Sequence, residues 1–209
     1  MEITVEIESQ HKDEFNRVFG RELTADDIVK YAENAVTVKR NKDIYLAFQS
    51  EVINGHDWSD EALLKYMKED IFDHNAGPDD APGFEGFRSR YLQWAESFHD
   101  GTQVNEVLIG EGEVLAVLYN THAEHKGTFM GIEPTDKHVV IPGIEFVRFE
   151  DGKIVERWGI YDYFSTAEEI GANITFTPRT YEIPRGKPLP WGGPPVDEES
   201  PKRYTPGLA

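Results

Sequence analysis

Residues 143–162, GIEFVRFEDGKIVERWGIYD, decide the fold of this chain. Apolar and polar residues alternate on both sides of Asp151-Gly152, a pair that is typical of tight hairpin turns. The alternation predicts two antiparallel strands, at 138–149 and 153–163, which this turn connects. The second strand ends in a cluster of aromatic residues that contains one carboxylate, Asp162.

The segments before this hairpin predict two further strands and several helices. Alternation at 103–109 and 113–127 predicts the first strands of a meander, and the 128–137 segment is a longer connection to the hairpin. Helical spacing upstream of these strands predicts four helices. Helices followed by a run of strands are typical of an α+β fold, in which the helices pack on one face of a curved antiparallel sheet. The space between the two layers can form a cone-shaped pocket.

The predicted helices carry recognisable start signals. Thr24 and Asp27 resemble a capping box at the start of a helix over 25–38. Asn41 is predicted to cap a second helix, and Ser59 a third. A fourth helix, with an apolar stripe, follows the loop at 76–83.

The two ends of the chain differ from this central region. Residues 2–8 alternate apolar and polar side chains and predict a short strand. Eight of the twelve prolines lie within 178–206, a density that excludes helix or central strand. That segment is either a disordered tail or, as its tyrosines and tryptophan favour, an extended arm on a surface. We therefore predict an N-terminal extension of strand and helix at 1–41, a domain at 42–172 and a Pro-rich arm at 173–209.

The composition argues against several classes of protein. The chain has 39 acidic and 21 basic residues and a net charge of -18, so binding to nucleic acid or to an anionic membrane surface is unfavourable. It has no cysteine, which excludes disulfides and thiolate chemistry. The sequence shows neither a signal-peptide pattern nor an apolar run of ~18 residues, so a cytoplasmic location is predicted.

Asp162 and His74 each have two interpretations. A carboxylate beside aromatic rings loses hydration, so its pKa rises and it can act as a base near neutral pH. Alternatively, Asp162 ends the strand and caps the helix that follows it. His74 could share a proton with a carboxylate, or it could be a partly buried histidine with a structural hydrogen bond.

Three further titratable residues lie on predicted strands. Glu145 interrupts an otherwise apolar face, so it must be paired or protonated; Arg148, Arg157 and His138 are its candidate partners. His122 and His125 lie on opposite faces of one strand. A metal site needs three or four converging ligands, so no metal is predicted.

Five segments together resemble the SnoaL-like polyketide cyclase family of the NTF2-like superfamily, over roughly residues 42–172. They are DHNAG (73–77), GFEGFRSRYLQWAESFHD (83–100), THAEHKGTFMGIEPT (121–135), the opening segment 143–162, and EEIGA (168–172). The resemblance implies a cone-shaped barrel with a deep hydrophobic pocket. One departure is Arg157, where the family commonly has histidine before the tryptophan.

The resemblance also implies roles for individual residues. The aspartate four positions after Trp158 corresponds to Asp162, the acid/base of an intramolecular aldol condensation in cyclase members, and the histidine of the family's Asp-His pattern corresponds to His74. Both are therefore predicted to be catalytic. The residues predicted to contact substrate are Tyr45, Trp94, His122, His125, Glu145, Trp158 and Tyr161.

These observations predict a cofactor-independent enzyme that removes a proton from a hydrophobic or aromatic small molecule. Aldol cyclisation, isomerisation, dehydration and retro-aldol cleavage all use such a step, and the sequence leaves the choice open. The alternatives are a non-catalytic ligand-binding domain and a structural, oligomerising domain. The predicted arms and the family resemblance suggest a homodimer or a larger homo-oligomer.

Overall fold

The computed structural model describes residues 8–77 and 79–174, and those up to Asn173 belong to one compact unit. Within these residues there are five α-helices and five strands, and four of the helices precede the last four strands. The helices are α1 (Ser9–Phe19), α2 (Ala25–Phe48), α3 (Asp60–Tyr66), α4 (Gly83–Ser97) and α5 (Tyr163–Ile170). The strands are β1 (Met67–Asp73), β2 (Phe98–Glu111), β3 (Val114–His125), β4 (His138–Glu150) and β5 (Lys153–Tyr161).

The strands form one curved, open sheet in the order β1-β5-β4-β3-β2. The predicted α+β class, with helices on a curved sheet, is confirmed. The four predicted strands pair antiparallel, as expected, and the additional strand β1 pairs with β5 in parallel. Sequence reasoning missed β1 because its charged run, Lys68 to Asp70, hides the alternation.

The Asp151-Gly152 turn has the predicted hairpin geometry. Its two residues have φ of 50° and 74°, the left-handed values that a two-residue turn between twisted strands requires. The turn sets the register in which Glu145 lies opposite Gly159 and Val147 lies opposite Arg157. The register therefore places the polar side chains Glu145 of β4 and Arg157 of β5 on the same face, next to each other.

The helix starts are confirmed at two of the predicted caps. Thr24 and Asp27 form a full capping box, and the Ser59 hydroxyl accepts from the backbone N–H of Ala62. The predicted break before Asn41 is wrong, since α2 continues to Phe48 and then as a π-helical turn, Gln49–Ile53. Asn41 lies inside α2 and caps no helix. Its side chain donates to Glu113 Oε2 at 2.8 Å, and this bond fixes α2 to the β2–β3 turn.

Helices α2, α3 and α4 cover the inner face of the sheet. Their buried aromatic residues, such as Tyr45, Phe48 and Phe87, pack with Leu115 and Phe149 of the sheet in the main core. A second cluster lies at the other end, where Phe98, Val139 and Ile170 meet. The predicted strand at 2–8 and the Pro-rich arm lie almost wholly outside the described residues, and the predicted boundary at 41/42 runs through α2.

The two faces of β5 have different surroundings. Arg157 and Tyr161 face inward, towards the helices, whereas Ile160 is 74% exposed on the outer face. Strand alternation places Trp158 on the outer face with Ile160. The inner face of β5 therefore provides the side chains that line the interior.

Candidate active site

A cavity of about 220 Å³ lies between the inner face of the sheet and the helices. Six aromatic side chains contribute to its wall, and no described lining residue is a carboxylate. The lining residues are Ile53, His56, Trp58, Asn75, Arg90, Tyr91, Trp94, Ala95, Gly101, Gln103, Tyr119, Thr121, Ile141, Arg157, Tyr161 and Tyr163. Such a wall favours a ligand with an apolar, planar body and few polar groups.

Aromatic pairs build two sides of the cavity. Trp58 and Tyr91 stack with ring centroids 4.8 Å apart, and Tyr161 and Tyr163 stack at 5.3 Å. Helix α4 supplies Tyr91, and the junction of β5 with α5 supplies the second pair. These stacked rings offer flat apolar surfaces against which another ring can pack.

Arg157 is the charged centre of the cavity wall. Its side chain is buried, and its guanidinium donates from Nε to Glu145 Oε2 at 2.8 Å and from Nη1 to Asp73 Oδ2 at 3.1 Å. Its Nη2 contacts the hydroxyl of Tyr161 and that of Tyr91, the latter at 3.3 Å. The cation is thus held by two carboxylates behind it and two phenols beside it.

The charges around Arg157 alternate in sign. Asp73 also pairs with Arg90, and Arg90 donates to Asp80 Oδ2 at 2.8 Å. Burying an unpaired charge costs several kcal/mol, but each buried charge here has at least one partner of opposite sign. The network therefore keeps a fixed cation in a mostly apolar cavity.

The phenols around Arg157 stay protonated at neutral pH. Burial raises the pKa of Tyr91, Tyr119 and Tyr161 above the ordinary value for tyrosine. Burial alone would lower the pKa of Arg157, but the surrounding phenols and carboxylates outweigh it. The wall therefore presents a cation and neutral O–H donors, which stabilise negative charge that develops on a ligand oxygen.

Asn75 fixes the end of β5 beside this cluster. Its side chain donates to the carbonyl of Gly159 and accepts from the N–H of Gly159, each at 2.7 Å. This pair of bonds replaces the strand partner that β1 no longer supplies, because β1 ends at Asp73. The β5 segment that carries Arg157 and Tyr161 is thereby held in place.

The structure brings only some of the predicted site residues to the cavity. Trp94 and Tyr161 line it. Tyr45 and Glu145 lie behind the wall, where the Tyr45 hydroxyl donates to Glu145 Oε1 at 2.5 Å. His125 is fully buried beside Phe98 of the second cluster, with Nδ1 3.0 Å from the hydroxyl of Thr135, and burial lowers its pKa.

Asp162 is exposed and is not among the lining residues. Its carboxylate accepts from the backbone N–H of Ser165 at 3.0 Å and caps α5. Hydrogen bonds from Ser165 lower its pKa, so the expected rise of the pKa in an aromatic pocket is wrong. The strand turns its carboxylate away from the cavity, although a catalytic role for Asp162 stays a prediction.

Three other predicted site residues lie on the outer side of the sheet. His74 stacks on Trp158 at 4.4 Å, and its Nε2 lies 2.9 Å from Glu156 Oε1. His122 stacks on His138, at 5.6 Å between ring centroids. None of the three predicted residues lines the cavity, because alternation along β3 and β5 directs His122 and Trp158 outward, and His74 packs against Trp158.

Sequence reasoning missed several residues that line or support the cavity. The sequence indicates Arg157 as a candidate partner of Glu145 and as a departure from the family pattern, but not as a site residue, and it does not indicate Asp73, Tyr91 or Gln103 as site residues. The register supplies the missing signal: Glu145 lies on a buried face, and the residues beside it on β5 must share that face. This places Arg157 and Tyr161 inside.

The sequence comparison identifies the family. The SnoaL-like polyketide cyclase family matches residues 42–170, which is more than half of the chain. The chain therefore belongs to this family. No curated protein matches the sequence.

Solved structures share the fold. IdmH of Streptomyces antibioticus, a candidate polyketide cyclase, is 27% identical, with a TM-score of 0.54 over 63% of this chain and 99% of its own. AclR of Streptomyces galilaeus, a candidate hydroxylase, is 23% identical, with a TM-score of 0.55 over 64% of this chain and 97% of its own. TsrD of Streptomyces laurentii is 20% identical, with a TM-score of 0.55 over 66% and 97% of the two chains.

Proposed function

We propose that this protein is a cofactor-independent, cyclase-type enzyme that removes a proton from a carbon acid in a hydrophobic or aromatic small molecule. The observation that carries the proposal is the buried cation at the cavity wall, flanked by protonated phenols. When a C–H bond next to a carbonyl breaks, its electron pair moves to the carbonyl oxygen as an enolate. Arg157 and Tyr161 would hold that oxyanion and lower the barrier.

His56 is the proposed proton acceptor. It is the only histidine among the described lining residues, and imidazole is the side chain that most often serves as a general base. It follows the π-helical turn and has a φ of 55°, a backbone conformation that costs energy for a residue other than glycine. In the proposed cycle the imidazole takes the C–H proton and returns it to the product. The enolate carbon can then attack a second carbonyl, which is an aldol cyclisation.

Asp162 would act indirectly in this scheme. It caps α5, whose first residue, Tyr163, lines the cavity. We therefore assign it a positioning role instead of the role of base. Isomerisation, dehydration and retro-aldol cleavage remain alternative outcomes of the same enolate chemistry. The size of the cavity limits the size of the ligand. A cavity of about 220 Å³ is smaller than the ~300–1,000 Å³ of most drug-sized sites and favours one or two rings.

A ligand-binding domain without catalysis is the second candidate function. Its support is that every carboxylate near Arg157 is tied to a cation or a phenol, and that none of them lines the described cavity wall. Such a domain would bind an aromatic anion or ketone and release it unchanged.

The outer face of the sheet supports a homodimer. Two rows of apolar side chains cross four strands there: Val107, Leu118, Ile144 and Ile160 in one row, and Ile109, Ala116, Phe146 and Trp158 in the other. Exposed apolar patches of this kind mark association surfaces. We assign this face to a second copy of the chain, because a two-fold axis through the face would bury both rows against their equivalents.

Hydrogen exchange in heavy water tests the proposed function. The protein is incubated with 2-tetralone, an acidic bicyclic ketone, and with β-dicarbonyls, and loss of the C–H signals is followed by NMR. The native protein should accelerate exchange. Tyr161→Phe should lower the rate about 100-fold because it removes one oxyanion donor, and His56→Gln should abolish acceleration.

Tyr163→Phe is the matched control, since it removes a hydroxyl from the ring that stacks on Tyr161 and leaves the proposed oxyanion donors intact. Binding of these ketones without accelerated exchange would overturn catalysis and favour the ligand-binding domain.

A further inference from the structure

A network of side-chain amides lies beneath the π-helical turn and next to the cavity. Gln49 comes from the turn, Asn54 follows it, and Gln103 and Asn105 come from β2. Gln103 is the member of this network that lines the cavity. Each amide has a donor end and an acceptor end, so its orientation can be deduced from its partners.

The first deduction begins at a backbone carbonyl, which can only accept. The carbonyl of Gln103 accepts from Gln49 Nε2 at 2.8 Å, so Gln49 Oε1 is the end that accepts from Asn105 Nδ2, at 2.6 Å. Asn105 Oδ1 is therefore left as an acceptor, and Gln103 Nε2 lies 3.2 Å from it. This sequence of bonds requires the NH₂ group of Gln103 to point into the network.

The second deduction begins at a buried carboxylate. Arg157 holds Glu145 as an ion pair, so Glu145 Oε1 accepts from the Tyr45 hydroxyl. Burial raises the pKa of Tyr45 well above its ordinary value, so the phenol keeps the proton that it donates. The Tyr45 oxygen then accepts from Gln103 Nε2 at 2.9 Å. Both deductions give the same orientation of the Gln103 amide.

The orientation leaves Gln103 Oε1 as an acceptor that no other described residue uses. Only two buried side-chain polar atoms in the described part of the chain lack a partner, the Tyr66 hydroxyl and His125 Nε2, so Gln103 Oε1 is accessible. Asn75, the other amide on the cavity wall, differs because both of its ends bond to Gly159. Gln103 therefore offers an open carbonyl acceptor in a wall whose charged groups are all donors.

We infer that Gln103 is a specificity-determining residue that accepts a hydrogen bond from a hydroxyl group of the ligand. This inference rests on the proposed function, since it assigns the substrate class of the same cavity. The ligand would be a hydroxylated aryl ketone of one or two rings. Its carbonyl would lie at Arg157 and Tyr161, and its phenolic or enolic O–H would lie at Gln103.

Binding of matched ligands tests the inference by calorimetry. The set is 2-tetralone, its 5-, 6-, 7- and 8-hydroxy derivatives, and the methyl ether of whichever isomer binds best. One hydroxy isomer should bind the native protein about 5-fold more tightly than 2-tetralone, as expected for one neutral hydrogen bond. Its methyl ether, which cannot donate, should lose this gain. If no isomer exceeds 2-tetralone, or if none of the set binds, the inference is overturned.

Two variants separate recognition from support of the fold. Gln103→Met should abolish the preference for the hydroxy isomer. Gln49→Met disturbs the same amide network from a position that does not line the cavity, and it should keep the preference even if both affinities fall. An equal loss of preference in the two variants would mean that Gln103 acts only through the network.

The outcome is independent of turnover. Selective binding without hydrogen exchange would retain the role of Gln103 and overturn the proposed catalysis. Accelerated exchange without any hydroxyl preference would retain the proposed catalysis and overturn the role of Gln103.

Discussion

On the inner face of β5, Arg157 and Tyr161 belong to a buried network of charges and phenols, whereas the outer face carries Trp158 and the exposed Ile160. The usual distribution in a sheet with one solvated face is apolar inside and polar outside. In this sheet, part of the inner face carries charged and polar side chains, and part of the outer face carries apolar ones. Charges are retained inside because they are fully paired, and apolar side chains stay outside where a partner can cover them. In the proposed scheme, the inner face provides the chemistry and the outer face provides a surface for association with a second copy of the chain.

The largest expected difference between the faces is in the free energy of unfolding that is lost when an arginine is replaced on each of two neighbouring strands. Arg157→Met should lower the free energy of unfolding by about 3–5 kcal/mol, because it leaves Glu145 and Asp73 without their shared buried cation. Arg148→Met, on the outer face, removes only partly exposed pairs with Glu150 and Glu156, so it should cost about 0–1 kcal/mol. Urea unfolding measures both, and equal losses would contradict the assignment of the faces.

The proposed role of the outer face is tested by measuring how strongly two copies of the chain associate. Ile160→Lys should weaken dimerisation at least about 10-fold, because it replaces the most exposed apolar side chain of the two rows with a charge that the interface would bury. Thr102→Lys is the control, since Thr102 is exposed on the sheet away from the two apolar rows. Analytical ultracentrifugation over a concentration series measures the effect. A monomeric native protein would refute the proposed dimer, and equal weakening by the control would place the interface elsewhere.

A third comparison uses two histidines on the opposite faces of β3. Burial lowers the pKa of His125 from 6.5, so the unfolded chain binds a proton more readily than the folded chain. Stability is therefore fully present above pH ~6.5 and is lost as the pH falls towards the lower folded pKa, by at most about 1.4 kcal/mol per pH unit.

His125→Gln should remove part of the loss between about pH 7.5 and 5.5, since glutamine does not titrate. His122→Gln, the same substitution on the outer face of the same strand, is the matched control. Urea unfolding at the two pH values measures both variants. An unchanged loss in His125→Gln would contradict the burial of a neutral imidazole.

The sequence predicts much of the fold because its strongest signals are local. Alternation and the Asp151-Gly152 turn identify the β4–β5 hairpin, and Thr24 and Ser59 identify two helix starts. The sequence does not predict β1, because its charged run hides the alternation and its partner β5 is distant in sequence. It also divides α2 at Asn41, because the contact of this side chain with Glu113 cannot be told from a helix cap by sequence alone.

The site was harder to predict for a different reason. Alternation divides β5 into two faces correctly but does not say which face is inside. Aromatic character favours the face of Trp158 and Asp162, whereas the inner face is that of Arg157 and Tyr161. Glu145 could have resolved the choice, because a carboxylate on a buried face requires a cation beside it and the hairpin register provides Arg157. Gln103 carries no such local signal, since its orientation depends on bonds from α2, β2 and β4.

The measurement that tests the central claim most directly compares hydrogen exchange of 2-tetralone in Tyr161→Phe and in Asp162→Asn. Tyr161 faces the cavity, and Asp162 is exposed at the end of the same strand. The inner-face assignment predicts a fall of about 100-fold for Tyr161→Phe and less than about 3-fold for Asp162→Asn, since asparagine also caps helices. Loss of exchange in Asp162→Asn with a native rate in Tyr161→Phe would contradict it.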